Sequence, residues 1–136
     1  MPGENPVKKL KEIQIDTQTI QQFNEQHFEE GQTTIHCSYV SKPIYVNGGW
    51  VNIYPTTYLV ANGQTLQMLH ADNVPMAPSM HFFKKAGELK HFSLIFPRIP
   101  DDWSSFDFVE VTASPNGFVV RNIQRSASGI YRISLA

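Results

Sequence analysis

Period-two alternation of large apolar residues is the strongest signal along this chain, and it is clearest across residues 92–111, FSLIFPRIPDDWSSFDFVEV. Phe92, Leu94 and Phe96 fall on one side of an extended ribbon. After Pro97, Pro100 and a polar stretch, Phe106 and Phe108 resume the same alternation. Five large side chains therefore point one way. At roughly 1.5–3 kcal/mol for each one buried, they are worth on the order of 10 kcal/mol, the scale of a domain's whole net stability. The pattern predicts two core strands joined by a proline-punctuated loop, and the rest of the chain is arranged around them.

Residues 1–6, with two prolines and a glycine, read as a flexible lead. Residues 7–15 alternate loosely and predict an edge strand whose lysines discourage edge-to-edge pairing. From Asp16 the period becomes helical: Ile20, Phe23 and Phe28 share a stripe, Asp16 or Thr17 caps the start and Gly31 closes the end. Residues 33–40 return to strand, with Ile35, Cys37 and Tyr39 inward and His36 and Ser38 on the wet side. A short strand over 44–46 then leads into Asn47-Gly48-Gly49, which supplies the positive φ of a reversal.

Residues 50–59, WVNIYPTTYL, read as a strand interrupted by Pro55, which offers no ladder donor and so belongs at an edge or bulge. Asn62-Gly63, between two β-rich runs, predicts a tight hairpin. Residues 64–71 follow as one strand with Leu66 and Met68 on one face, and ADNVPMAPSM reads as the loop that crosses to a second sheet. Residues 84–88 form a turn before the Phe92 strand. Ser114-Pro115-Asn116-Gly117 is another hairpin turn, and Ser128-Gly129 precedes a last run with Tyr131, Ile133 and Leu135 on one face.

Seven to nine short strands with turn signals about every ten residues predict an all-β fold. The expected form is an immunoglobulin-like antiparallel β-sandwich with one short N-terminal helix, residues 7–136 forming one domain. Composition agrees with a folded core: 41% of the residues are apolar, 12% aromatic and only 17% charged. A formal net charge of −1, with the basic residues dispersed, gives no electrostatic footprint for nucleic acid. No apolar run is long enough for a membrane helix or, at the start, for a signal peptide. The single cysteine, Cys37, is expected as a buried strand residue, without disulfide or nucleophilic role.

Residues 50–110 resemble a β-sandwich domain that recurs in secreted and envelope proteins of Bacteroidetes, often ahead of a thioredoxin-like domain. The matching pattern is the Trp-led strand WVNIYPTTYLV, the segment LQMLHADNVP, the turn AGEL, and FSLIFPRIP followed by SFDFVE. The chain departs from it by lacking a thioredoxin-like part and a CxxC motif, by carrying Asp101-Asp102-Trp103 where a Lys/Gly/Thr-rich loop is usual, and by the 16–31 segment. The resemblance implies an extracytoplasmic, non-catalytic accessory or protein-interaction module, and it carries over no catalytic residue.

Candidate chemistry is sparse. Five histidines (His27, His36, His70, His81, His91) follow no zinc-ligand spacing, although His70-x-Asp72 places two potential ligands on one strand face. Asp101, Asp102, Asp107 and Glu110 are close enough in sequence to suggest a carboxylate pair, the requirement of a glycoside hydrolase. No metal, cofactor or catalytic residue is assigned. The residues of most interest are aromatic: Trp50 and Tyr54 share a strand face, and Trp103 sits in a polar loop. If exposed they form a partner surface, the other reading being that Trp50 and Tyr54 pack into a core and Trp103 covers a sheet end; protein is the expected partner, carbohydrate on exposed rings the alternative, and a small hydrolase a second alternative.

Overall fold

The computed structural model describes residues 31–44 and 47–135. The expected lead over 1–6, strand over 7–15 and helix over 16–30 lie outside the described residues, as does most of the short strand over 44–46. What is described is all-β, with no helix among the described residues.

The described residues form ten strands: β1 (Gln32–Val40), β2 (Trp50–Val51), β3 (Thr57–Ala61), β4 (Gln64–Gln67), β5 (His70–Asp72), β6 (His81–Phe82), β7 (Leu89–Pro97), β8 (Ser105–Glu110), β9 (Val119–Gln124) and β10 (Ile130–Leu135). They form one four-stranded sheet in the order β10-β1-β7-β5, another in the order β4-β3-β8-β9, and a two-stranded ribbon of β2 and β6.

The alternation that predicted the core strands is what sets their faces. Phe92, Leu94 and Phe96 of β7 and Phe106 and Phe108 of β8 are all at most 3% exposed. The two strands belong to different sheets, and their rings meet: Phe96 and Phe108 stand edge to face with centroids 6.2 Å apart. Ile35, Cys37 and Tyr39 from β1, Leu59 from β3, and Tyr131 and Leu135 from β10 join the same cluster, so the inward rows of both larger sheets share one core.

The Asn62-Gly63 hairpin forms as expected. Ala61 pairs with Gln64, and Asn62 and Gly63 have φ of 50° and 75°, the two successive positive values that a two-residue reversal of this hand requires. Pro55 sits outside the ladders in the gap between β2 and β3. The 114–117 turn likewise joins β8 to β9 as an antiparallel pair.

Three expectations are corrected. The strands exceed the predicted number because the 50–59 and 64–71 runs each divide in two, and because His81–Phe82 is too short to show a period. The crossing between sheets falls at Met68-Leu69 and not in the later proline loop: Met68 N–H donates to Thr57 O at 2.8 Å, and Leu69 N–H to Ile95 O of the other sheet at 2.7 Å. Finally, the strands are not uniformly antiparallel. β10 runs parallel to β1, because the chain leaves β9 in one sheet and enters the other alongside its first strand. Side-chain alternation records which face a residue takes and is silent on strand direction.

Candidate functional site

Val51 and Ile53 turn into the core at 3% and 0% exposure, and the same parity turns Trp50 and Tyr54 outward at 49% and 36%. Both rings line a cleft of about 590 Å³, together with Ile44, Glu110, Asn116 and Phe118. Across the ribbon Trp50 is register partner to Phe82, which is 64% exposed, so two large rings stand on one face beside the cleft. Ile44, at 76%, adds a third open apolar side chain.

Glu110 ends the inward row of β8 and holds the cleft wall together. Its Oε2 accepts the Tyr54 N–H at 2.9 Å and its Oε1 accepts the Phe118 N–H at 3.0 Å, tying the segment after β2 to the entry of β9. Burial pushes its pKa above the ordinary carboxylate value, and the two amide hydrogen bonds pull against that rise without cancelling it. Other polar groups of the cleft are also engaged within the chain. Asn52 Nδ2 donates to Ser79 O at 2.9 Å, Thr112 Oγ1 donates to Ser114 O at 2.6 Å, and Ser114 Oγ accepts the Asn116 N–H at 3.0 Å.

Of the three expected aromatic residues, the structure brings together Trp50 and Tyr54. Trp103 is wholly buried and offers no ring to solvent. Its N–H closes a turn onto Pro100 O at 3.1 Å, which tucks the indole beside Phe106, and its Nε1 donates to Gln64 Oε1 at 3.2 Å. A tryptophan within DDWSS looks exposed in sequence, and the turn that buries it is made by backbone atoms.

The four carboxylates do not converge. Glu110 lines the cleft, whereas Asp107 lies on the opposite strand face, bonded to the Asn122 N–H at 2.8 Å and to Arg121 at 3.2 Å. Asp101 and Asp102 precede the other end of β8, where Asp101 meets Arg98 at 2.9 Å. Among the described residues no three His, Cys, Asp or Glu side chains gather where a metal ion would fit.

A base-hydroxyl pair not foreseen from sequence lies on the outer face of the β1 sheet: His36 Nδ1 and Ser93 Oγ are 2.7 Å apart. Burial first, and then the Arg132 charge, lower the His36 pKa and favour the neutral ring. Cys37 is on the core side of the same strand. Burial pushes its thiol up to about 12, so it stays protonated and unreactive at neutral pH.

No family model, curated protein or solved structure matches the chain. The likeness to the Bacteroidetes domain thus rests on its motifs alone.

Proposed function

We propose that this chain is a non-enzymatic binding module of immunoglobulin-like sandwich type that holds a protein partner at the Trp50 cleft. The observation that carries the reading is the open apolar cluster around that cleft: Ile44, Trp50 and Phe82, exposed by 76%, 49% and 64%. Large apolar side chains grouped in this way are uncommon on soluble monomers and mark interaction surfaces. Rigid aromatic side chains beside a concavity are also the usual anchors of protein interfaces.

The polar lining argues in the same direction. A sugar site needs free donors and acceptors around its aromatic rings, whereas Glu110, Asn52, Thr112 and Ser114 already spend hydrogen bonds within the chain. What the cleft leaves to a ligand is ring faces, an aliphatic side chain, and the Lys42 and Asn116 side chains as its polar contacts. A hydrolase reading requires a second carboxylate across from Glu110, and Asp107 and Asp101 are engaged elsewhere. The placement at the cell envelope follows from the family resemblance.

The test is selection of peptides from a displayed library on the purified chain, followed by binding to Trp50→Ser and, as a control, to Leu69→Ser. Leu69 is 61% exposed and does not line the cleft. Selected peptides should carry apolar anchors and lose about tenfold or more in affinity on Trp50→Ser, the loss of one interface hot spot. Peptides that bind both variants alike, or soluble oligosaccharides that quench Trp50 fluorescence where peptides do not, would overturn the protein reading.

A further inference from the structure

The free charge at the Trp50 cleft is of one sign. Lys42 and Glu110 are the charged side chains among the described residues that line it. Glu110 is 6% exposed and each of its oxygens already accepts a backbone N–H, so it presents no open carboxylate to a ligand. Lys42 is exposed and has no carboxylate within ion-pair distance among the described residues, whose ion pairs join arginines to Asp101 or Asp107.

The fold brings two more ammonium groups to the same place. Ser41, which precedes Lys42, donates its hydroxyl to Lys85 O at 2.9 Å and its N–H to Glu88 O at 2.9 Å. Phe83 N–H donates to Gly49 O, one residue before Trp50, at 3.0 Å. The turn carrying Lys84 and Lys85 is thereby fastened to the residues that immediately precede Lys42 and Trp50, and it begins just past Phe82. Both lysines are exposed and, like Lys42, without an ion-pair partner among the described residues. Glu88, the acid of this turn, gives Oε1 to the Lys84 N–H at 2.9 Å. Like charges gathered at one rim favour the arrival of opposite charge, and complementarity of this kind selects among partners more than it sets raw affinity.

We propose that the partner of this cleft is an acidic peptide segment, its apolar anchor seated against Trp50 and Phe82 and its carboxylates facing Lys42, Lys84 and Lys85. The inference rests on the reading of the cleft as a protein-binding site and adds to it the charge of the occupant. A basic segment would be repelled by the ammonium groups, and a neutral one would leave them facing water alone. Three lysines on a chain of net charge −1 do not make the extended basic track that a nucleic-acid strand follows, and the open aliphatic side chain of Ile44 suits a side-chain anchor better than a base.

Selection of displayed peptides on the full chain at low salt tests it, with the selected sequences made as fluorescein-labelled peptides and titrated by anisotropy. They should be enriched in Asp and Glu beside an apolar anchor. Lys42→Glu and Lys85→Glu should each weaken them about fivefold or more, whereas Arg132→Glu, the same change of charge on the outer face of β10, should leave affinity within about twofold. Both losses should shrink in about 1 M salt, where charges are screened beyond about 3 Å. Thermal melts verify that the variants fold. Peptides that require Trp50 but bind Lys42→Glu and Lys85→Glu as well as the parent chain would overturn the acidic partner and leave the cleft reading standing. Peptides indifferent to Trp50→Ser would remove the cleft reading itself. Enrichment in Lys and Arg, failure to select any binder, or displacement of the labelled peptides by a single-stranded oligonucleotide at lower concentration than by the same peptides unlabelled would also overturn the proposal.

Discussion

Replacing Glu110 by glutamine probes the joint on which the cleft depends. The carboxylate is 6% exposed and gives one oxygen to each of two backbone amides, Tyr54 N–H and Phe118 N–H. Glutamine has one carbonyl oxygen, so one of these amides must face the side-chain NH2 group and go without an acceptor. A stranded buried N–H costs about 1–3 kcal/mol, and removal of a desolvated charge returns part of it, so a net loss of about 1–2 kcal/mol at neutral pH is expected. Urea denaturation followed by circular dichroism measures this directly.

The pH dependence separates the competing causes. Burial, the larger effect, holds the folded pKa of Glu110 above the ordinary 4.5. The folded state therefore binds this proton more tightly than the unfolded chain does. The resulting stabilisation is fully present below 4.5 and is lost as pH rises through the folded value. The Glu110→Gln variant has no such proton, so the stability gap between the two proteins should narrow as pH rises from about 4 toward neutral. A gap that widens over that range would mean that the two amides outweigh burial, and the reasoning about this residue would fail.

Other expectations are simpler. Phe96→Ala and Phe108→Ala should each cost about 3–5 kcal/mol, and a double-mutant cycle should return about 0.5–1.5 kcal/mol of coupling from their edge-to-face contact; additive losses would mean that the rings do not meet. Cys37 should resist Ellman's reagent at mildly alkaline pH in the folded protein and react at once in denaturant, since burial holds its thiol near 12. The His36 ring should titrate below 6.5 in NMR, and because its folded pKa is depressed, its contribution to stability is present above 6.5 and lost as pH falls through the folded value. Substituting His36 by glutamine should remove that acid-side loss, and an unchanged profile would count against the assignment.

Much of the scaffold was legible because its signals are local. The Phe92 and Phe106 rows, the shared strand face of Trp50 and Tyr54, and the Asn62-Gly63 turn are read from alternation and from φ preference within a few residues. The features that were missed depend on partners distant in sequence. An exception is Met68-Leu69, where two adjacent apolar residues break the alternation and mark the switch of sheet, whereas nothing in residues 130–135 reveals that they run parallel to β1. Phe82 escaped notice because a two-residue strand has no period, although its pairing with Trp50 makes the open face. Glu110 resembles an ordinary surface acid at the end of SFDFVE until the turns on either side deliver two amides to it. Gln32, Arg98 and Arg125 stand at the start of β1 and just past the ends of β7 and β9, and only the folded chain brings them together.

The proposed partner site is the Trp50 cleft rather than another surface. An amide and side-chain NMR map of the full chain bound to the tightest selected peptide addresses it most directly. Perturbations should centre on Ile44, Trp50, Tyr54, Phe82 and Asn116, with the Trp103 indole unmoved. A map centred on Leu69, or on the outer face around His36 and Arg132, would contradict it.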